Sequence, residues 1–383
     1  MKKICAIISS RANYSSVKSV LSSISNNKNL ILQIVVGASA LIDRFGSVVD
    51  LIKKDGFKIN SSIHMLVEGE TLETMAKSTG MGLLEFPTVF KNINPDIVLI
   101  IGDRFENIAA SIAASYMNIP IAHTMGGEVS GTIDESIRHA ITKFAHIHFP
   151  ASKESKERII KLGENKKNVF LVGCPRIDLA KKVLSEKKFD TNDKFLKAGV
   201  GDKINFLKPF IIVSQHPVTT EYDETKKKIE PTIKAINKID IQKVVLWPNS
   251  DAGSDEISRV FRKYREKRLI KNVRFYKNFP PETYMKLMSK TSCLVGNSSS
   301  GIREGAYIGT PNVNIGTRQS RRERGKNTID CDYNMEEIYK SILIQIKKKK
   351  YKKEYIYGNG NSGKKISDIL EKIKVKIQKQ IEY

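Results

Sequence analysis

The chain has little cysteine, no long apolar run and few acidic residues for its many basic ones, and each shortage closes off a class of protein. Four cysteines, Cys5, Cys174, Cys293 and Cys331, are spread over 383 residues with no Cys-x-x-Cys pair among them. That spacing indicates neither a disulfide scaffold nor a zinc site, and it suits a reducing compartment. No stretch approaches the roughly 18 apolar residues of a membrane span. The early run Ile4 to Ile8 is interrupted by Ser9, Ser10 and Arg11, too soon for the apolar region of a signal peptide. The expectation is a soluble, cytoplasmic protein without a membrane partner. Against 41 Asp plus Glu stand 65 Lys plus Arg, a formal net charge of +24. Such an excess suits nucleic acid or an anionic membrane surface. Here it is mostly lysine scattered over helix faces and gathered late, as at Lys347 to Lys350, with no nucleic-acid motif beside it. A solvated basic face is the better reading, with modest steering of an anionic small substrate and no nucleic-acid partner.

What is present is an alternation of short apolar strands and helices. A chain of 383 residues with 40% apolar content exceeds one ordinary core, so two domains are expected. Ile4 to Ile8 and Leu30 to Gly37 read as strands around an amphipathic helix from about Ser15 to Ser25. All-apolar strands of this kind imply a parallel sheet covered on both faces, an α/β fold. Lys58 to Leu66 reads as a further strand and Leu72 to Asn92 as a helix. Ile97 to Ile101, Ile119 to Ala122, Ile147 to Phe149 and Asn168 to Val172 continue the sheet. From Asp178 to Lys208 the composition shifts to Lys, Asp and Asn, as at a boundary. A second α/β pattern starts at Phe210 to Val213 and runs through Val244 to Trp247, Phe275, Cys293 to Gly296 and Asn312 to Ile315. The last helix is expected over Ser367 to Ile381.

The polar residues cluster where strands end, which is where open α/β sheets bind ligands. Arg11 follows the first strand beside a serine-capped helix, a good anion site. Asp103 and Arg104 follow Gly102 at the end of Ile97 to Ile101. Asp103 is either a helix cap or a catalytic group. His123, Met125, Gly126, Gly127 and Glu128 follow the next strand, and Asp134 caps the helix through Arg138 and His139. His146 and His148 lack an evident third ligand, so no metal is expected. In the second half, His216 and Asn249 end strands, and Asn278, Phe279 and Pro280 follow another. Ser298, Ser299 and Gly301 enter a helix whose free amides suit a phosphate or pyrophosphate. Glu304 lies one turn on, placed for a ribose diol, and Arg318 ends the following strand.

The strings GDRFENIA, HTMGGEVSGTIDESIRHAITKFAHIHF, GCPRIDL, SQHPVTT, PNSDAGS, VGNSSSGIREGAYIGTP and NIGTRQSRRERG resemble, in order, the hydrolysing UDP-N-acetylglucosamine 2-epimerases. That family includes bacterial sialic-acid enzymes and the epimerase half of a vertebrate bifunctional epimerase/kinase. The resemblance runs from about residue 1 to 370. It implies a glycosyltransferase-B-like architecture of two Rossmann-like domains facing a cleft. Residues 1–180 would form the first domain with the acid/base residues, 181–208 a linker, 209–365 the UDP-binding domain, and 366–383 a helix returning to the first domain. It implies Asp103, Glu128, Asp134 and His216 as catalytic. Arg11, Ser15, Arg104, His216, Asn249, Phe279, Ser298, Ser299, Glu304 and Arg318 would hold the UDP-sugar. No cofactor or metal is implied. The implied reaction converts UDP-N-acetylglucosamine and water to N-acetylmannosamine and UDP by elimination and hydration, for sialic acid biosynthesis, in a homodimer or homotetramer. One departure is Met125, where several relatives carry a carboxylate. It either shifts the acid/base work to Asp103, Glu128 and Asp134 or marks a different sugar, since an apolar pocket would suit a 6-deoxy sugar such as UDP-2,4-diacetamido-2,4,6-trideoxyglucose, of legionaminic acid synthesis. A UDP-sugar glycosyltransferase or a non-catalytic nucleotide-sugar binder would share the same nucleotide site.

Overall fold

The computed structural model describes residues 1–46, 48–186 and 189–382. Two residues of the 181–208 segment and the last residue of the 366–383 segment therefore lie outside the described residues. The chain divides into two units, Met1–Glu128 with Ile133–Leu179 and Tyr357–Tyr383, and Val129–Thr132 with Ala180–Ile356.

The first unit holds six parallel strands: β1 (Lys2–Ile8), β2 (Leu30–Gly37), β3 (Ser61–Ile63), β4 (Ile97–Ile101), β5 (Ile121–Thr124) and β6 (Ile147–Phe149). Their order is β3-β2-β1-β4-β5-β6. β4 to β6 are buried along their whole length, β4 as a continuous apolar run and β5 and β6 with His123, Thr124 and His148 among their buried residues. The order reverses direction between β1 and β4, so the carboxyl ends of these two strands form the switch point at which doubly wound sheets bind ligands.

The second unit repeats the plan. β8 (Phe210–Ser214), β9 (Gln242–Leu246), β10 (Val273–Tyr276), β11 (Cys293–Gly296), β12 (Asn312–Ile315) and β13 (Thr328–Cys331) are parallel, and β7 (Val200–Gly201) joins β10 antiparallel. The order is β13-β12-β11-β8-β9-β10-β7, with the switch point between β8 and β11. Ile211, Val213, Val245, Phe275 and Val295 join Phe261 and Ile338 from the covering helices in one buried cluster.

Four expectations change. The first helix begins at Arg11, capped by the Ser10 hydroxyl, and ends at Ser15; the amphipathic helix is a separate element, Lys18–Ser25. Asn168 to Val172 makes a single bridge, Val169 to His148, rather than a strand. The 181–208 segment carries the helix Lys194–Lys197 and β7, and the Tyr276 hydroxyl donates to the Leu196 carbonyl at 2.9 Å, which ties it to the second unit. The last helix is Ser362–Lys372, not Ser367 to Ile381. Residues 373–377 alternate β-branched residues with lysine, a period of two that does not sustain a helix. The helix Ser362–Lys372 is fixed at both ends within the first unit. Asp178 accepts from the amides of Ser362 at 2.9 Å and Gly363 at 2.7 Å, and Lys2 Nζ donates to the carbonyls of Leu370 at 2.7 Å and Ile373 at 2.8 Å. A carboxylate at the N-terminus and an ammonium at the C-terminus both complement the helix dipole.

Candidate active site

In the first unit the loops after β4 and β5 and the helix Asp134–Phe144 bring three of the expected carboxylates around one arginine. Gly102 turns the chain at φ 72°, and Asn13 and Asn107 both donate to the Ile101 carbonyl, at 2.7 and 2.6 Å. This pins the end of β4. Asp103 follows with its side chain 22% exposed, and Arg138, wholly buried, donates to it through Nε at 2.8 Å and through a second nitrogen. A third Arg138 nitrogen donates to the Glu128 carbonyl at 2.8 Å. Burial, the largest influence on Arg138, works against its charge; Asp103, Glu128 and Asp134 outweigh it, and its pKa is raised. Asp134 is the first residue of its helix rather than the cap, which is Ile133. Arg138 lies four residues on, so both project toward the same side of the helix.

His123 supports this arrangement from beneath. Its Nε2 lies 2.9 Å from the Gly102 carbonyl, which can only accept, so Nε2 carries the proton. Its Nδ1 is buried without a hydrogen-bond partner. Burial pushes the imidazole pKa down to about 4, so His123 is neutral at pH 7. The glycines after it are steric requirements. A Cβ at Gly126 would lie 2.9 Å from His123 Nδ1, and one at Gly127, where φ is +76°, would lie 2.2 Å from the Ser155 carbonyl oxygen. Met125, just before these glycines, is 5% exposed, takes a left-handed φ of 59°, and places its sulfur 3.8 Å from the Cys174 thiol.

The other expected groups of this unit are committed differently. Arg104 pairs with buried Glu106, with Nε 3.1 Å from Oε2, and lies over the Phe105 ring. The Ser15 hydroxyl donates to the Ala12 carbonyl at 2.9 Å and accepts from Arg176 at 3.0 Å. Half-buried Arg11 opens its helix directly after β1. His146 accepts from the Ile121 amide at Nδ1, and its Nε2 lies 2.9 Å from the Ile377 carbonyl. His148 meets Glu164 at 3.1 Å. Among the described residues no group of three His, Cys, Asp or Glu is placed to hold a metal ion.

In the second unit Asn297 organises the switch point. Its side chain accepts from the His216 amide at 2.7 Å and donates to the His216 carbonyl at 2.8 Å, joining the ends of β8 and β11. Its own carbonyl accepts from Gln319 at 2.9 Å and Arg318 at 3.4 Å. His216 Nδ1 accepts from the Asn249 amide at 3.2 Å, which leaves the proton on Nε2. Ser298 caps the helix Ser299–Ile308 through the Ser300 amide, and Ser299 opens that helix. Glu304 is wholly buried on it. His216, Asn249, Ser298, Ser299 and Arg318 thus stand at the carboxyl ends of β8, β9, β11 and β12. Phe279 follows β10, buried with its ring 4.6 Å from that of Tyr276.

A family model described as UDP-N-acetylglucosamine 2-epimerase matches residues 22–371. The chain belongs to the UDP-N-acetylglucosamine 2-epimerase family. It is 35% identical over 373 residues to a UDP-N,N'-diacetylbacillosamine 2-epimerase (hydrolyzing) of Legionella pneumophila, covering 97% of this chain and 96% of that one. A GDP/UDP-N,N'-diacetylbacillosamine 2-epimerase (hydrolyzing) of Campylobacter jejuni is 32% identical over 335 residues, 87% of this chain and 85% of that one. A crystal structure of UDP-GlcNAc 2-epimerase from Neisseria meningitidis bound to UDP-GlcNAc matches with a TM-score of 0.80 at 18% identity, covering 97% and 100% of the two chains. The epimerase fold, two Rossmann-like α/β units of the glycosyltransferase-B-like class, is therefore shared. Among the described residues no helix of this family member is long and apolar enough to cross a membrane.

Arg138, Asn297, Asn13 and Asn107 were not among the expected site residues. The spacing Asp134 to Arg138, i to i+4 on the helix after Gly-Gly-Glu, was the available signal for the first. The two asparagines at the end of β4 had none, because they come from different helices.

Proposed function

We propose that the protein is a hydrolysing UDP-sugar 2-epimerase, converting a UDP-2-acetamido sugar and water to the free 2-epimer and UDP. The observation that carries the reading is the buried Arg138 guanidinium, which gathers the carboxylates that a proton-transfer reaction needs. In this reading a carboxylate removes the C2 proton as the C1–O bond to UDP breaks, giving a 2-acetamidoglycal. Water then adds at C1 while C2 is reprotonated on the opposite face. Asp103 and Asp134 are the proposed base and acid, with Glu128 as a third member of the set. The N-terminus of the helix Ser299–Ile308, Arg318 and His216 Nε2–H would stabilise the departing diphosphate, and Glu304 the ribose. Arg11 and Arg104 would approach the phosphates or sugar from the first unit, with Asn249 and Phe279 at the uridine.

For the sugar we favour UDP-2,4-diacetamido-2,4,6-trideoxyglucose, the UDP-N,N'-diacetylbacillosamine named for the two relatives above. The apolar Met125 against Cys174, immediately beside Gly102 and Asp103, is consistent with a sugar lacking the 6-hydroxyl. UDP-N-acetylglucosamine, for sialic acid synthesis, is the second reading, favoured by the description of the family model. Both fit a cytoplasmic enzyme acting on soluble nucleotide sugars. The test incubates the protein with each UDP-sugar in deuterated water and identifies products by NMR. The expected result is free manno-configured sugar with deuterium at C2 and stoichiometric UDP, with the diacetamido substrate preferred. A UDP-linked 2-epimer as main product, or UDP release only with an added acceptor, would overturn the reaction; a preference for UDP-N-acetylglucosamine would overturn only the sugar.

A further inference from the structure

Directly after Asp103 the chain places an arginine where helices disfavour one. Arg104 is the cap residue of the helix Phe105–Tyr116, with extended backbone at φ −75° and ψ 158°, and its side chain makes no cap hydrogen bond. An arginine has no acceptor to offer the first amides of a helix, and its charge opposes the helix dipole there. Two residues on, Glu106 is wholly buried. Its Oε2 accepts from Arg104 Nε at 3.1 Å and its Oε1 from a terminal nitrogen of Arg104 at 3.2 Å, a side-on fork that engages both oxygens. The Phe105 ring lies 5.3 Å from the same guanidinium. Residues i and i+2 within a helix do not face each other. This pair meets because Arg104 stands outside the helix in extended backbone, and its side chain turns back over the first turn.

The pair does little for the fold. Asp103 and Arg138 are 35 positions apart and join the end of β4 to the helix Asp134–Phe144, whereas Arg104 and Glu106 close no loop of chain and join no two elements. Burying a carboxylate for such a pair is costly, and apolar residues in its place would often be more stabilising. What the fork fixes is the plane and direction of one guanidinium. Held through Nε and one terminal nitrogen, the planar group turns the edge shared by its two terminal nitrogens the other way. The chemistry of the elimination says what that edge would meet. C2 loses its proton while the adjacent C1 loses the oxygen of the β-phosphate, so the base and the cation that receives the leaving phosphate must be neighbours. Consecutive residues, about 3.8 Å apart at Cα, meet that requirement, and Asp103 and Arg104 are consecutive.

We propose that Glu106 is a positioning residue, which holds the Arg104 guanidinium by one edge so that its other edge meets the β-phosphate of the UDP-sugar. The proposal rests on the 2-epimerase reading above and adds to it the residue that aims this cation.

Calorimetric titration of the full chain with UDP and with UMP, which lacks the β-phosphate, tests it apart from turnover. Glu106→Gln keeps the size of the side chain and turns one of its two acceptors into a donor facing Arg104. It is expected to raise the Kd for UDP about tenfold and to leave the Kd for UMP unchanged. Glu106→Asp keeps the charge, so the pair stays neutral and the chain folds, but draws the carboxylate back by one methylene; it is expected to raise the Kd for UDP about threefold, again without effect on UMP. In steady-state kinetics with the UDP-sugar, Glu106→Gln is expected to lower kcat/KM about thirtyfold, and to have no further effect in an Arg104→Met background, because it acts only through Arg104. Equal weakening of UDP and UMP would assign Glu106 to packing and overturn the proposal. So would an unchanged Kd for UDP in both variants, or losses from Glu106→Gln and Arg104→Met that multiply in the double variant. Selective loss of UDP binding in a chain whose wild type turns over no UDP-sugar would overturn the 2-epimerase reading and leave the role of Glu106 at the β-phosphate standing.

Discussion

At the residue scale the first unit is governed by Arg138. A buried arginine is tolerated only when its donors are satisfied, and here Asp103 and the Glu128 carbonyl satisfy them. Its rigid planar fork holds a carboxylate and a carbonyl in a set relative orientation, which the rotating ammonium of a lysine does not fix. Arg138→Lys is therefore expected to lower kcat by about a hundredfold through loss of carboxylate alignment, while the affinity for UDP alone stays unchanged. Steady-state kinetics with UDP titration separate the two quantities, and an unaltered kcat would remove Arg138 from the arrangement. Asp103→Asn and Asp134→Asn keep size and hydrogen bonding but cannot move a proton as a carboxylate does. Each is expected to lose about 100-fold or more in kcat and to retain UDP binding. Full turnover in either would exclude that residue as acid or base. Gly127 shows the same dependence on local geometry. Gly127→Ala adds a Cβ 2.2 Å from the Ser155 oxygen at a φ of +76°, and a loss of about 3 kcal/mol in urea unfolding is expected.

At the element scale one carboxylate is a charged anchor of the C-terminal tail on the first unit, beside the contact of His146 with the Ile377 carbonyl. Glu164 Oε2 receives Lys379 at 2.5 Å and lies 3.1 Å from His148, while Oε1 receives Lys143 at 2.6 Å. Burial, the largest influence, works against the Glu164 charge, but these three hydrogen bonds outweigh it and bring the pKa from 4.5 down to about 2. Because the folded-state value is depressed, the stabilisation is complete above pH 4.5 and is lost as the pH falls from 4.5 through about 2. Glu164→Gln is expected to lower stability at pH 7 by about 3 kcal/mol and to matter little at pH 2, as read by denaturant unfolding at both values. Equal losses at the two pH values would mean that packing rather than charge holds the tail. His148 pairs with His123 across β6 and β5, so the tail's anchor is one strand away from the residue that supports Gly102 and Asp103.

At the scale of the whole molecule two features dominate, a repeated sheet order and an excess of positive charge. The net charge of +24 is borne mainly by exposed lysines, and a UDP-sugar is an anion. Attraction between them is long-ranged and screened by salt. kcat/KM is therefore expected to fall about three- to tenfold between 20 and 500 mM salt with kcat nearly constant. A flat salt profile would show that the charge excess serves no steering.

How far the sequence alone reached can be seen in particular segments. The strands Ile97–Ile101 and Cys293–Gly296 were legible to the residue, because a strand buried on both faces reads as a continuous apolar run. The polar turns after them were legible for the same reason: where the apolar run stops, the chain leaves the sheet. Asp103, Glu128, Asp134, Ser298 and Arg318 could be named there because strand ends in α/β folds are where ligands bind. The alternating tail after Lys372 reads as helix in the sequence, since its apolar residues also fit a loose helical spacing, and contacts with His146, Glu164 and Gly163 settle its path. The sequence determined the α/β class, the two-unit repeat and the chemistry available at the strand ends. Tertiary structure alone decided which of those groups meet. Arg138 joins Asp103 to the Glu128 carbonyl, and Asn297 joins β8 to β11, through residues between 10 and 81 positions apart. Pairings at such separations are fixed by sheet order and helix packing, which no local pattern of residues encodes.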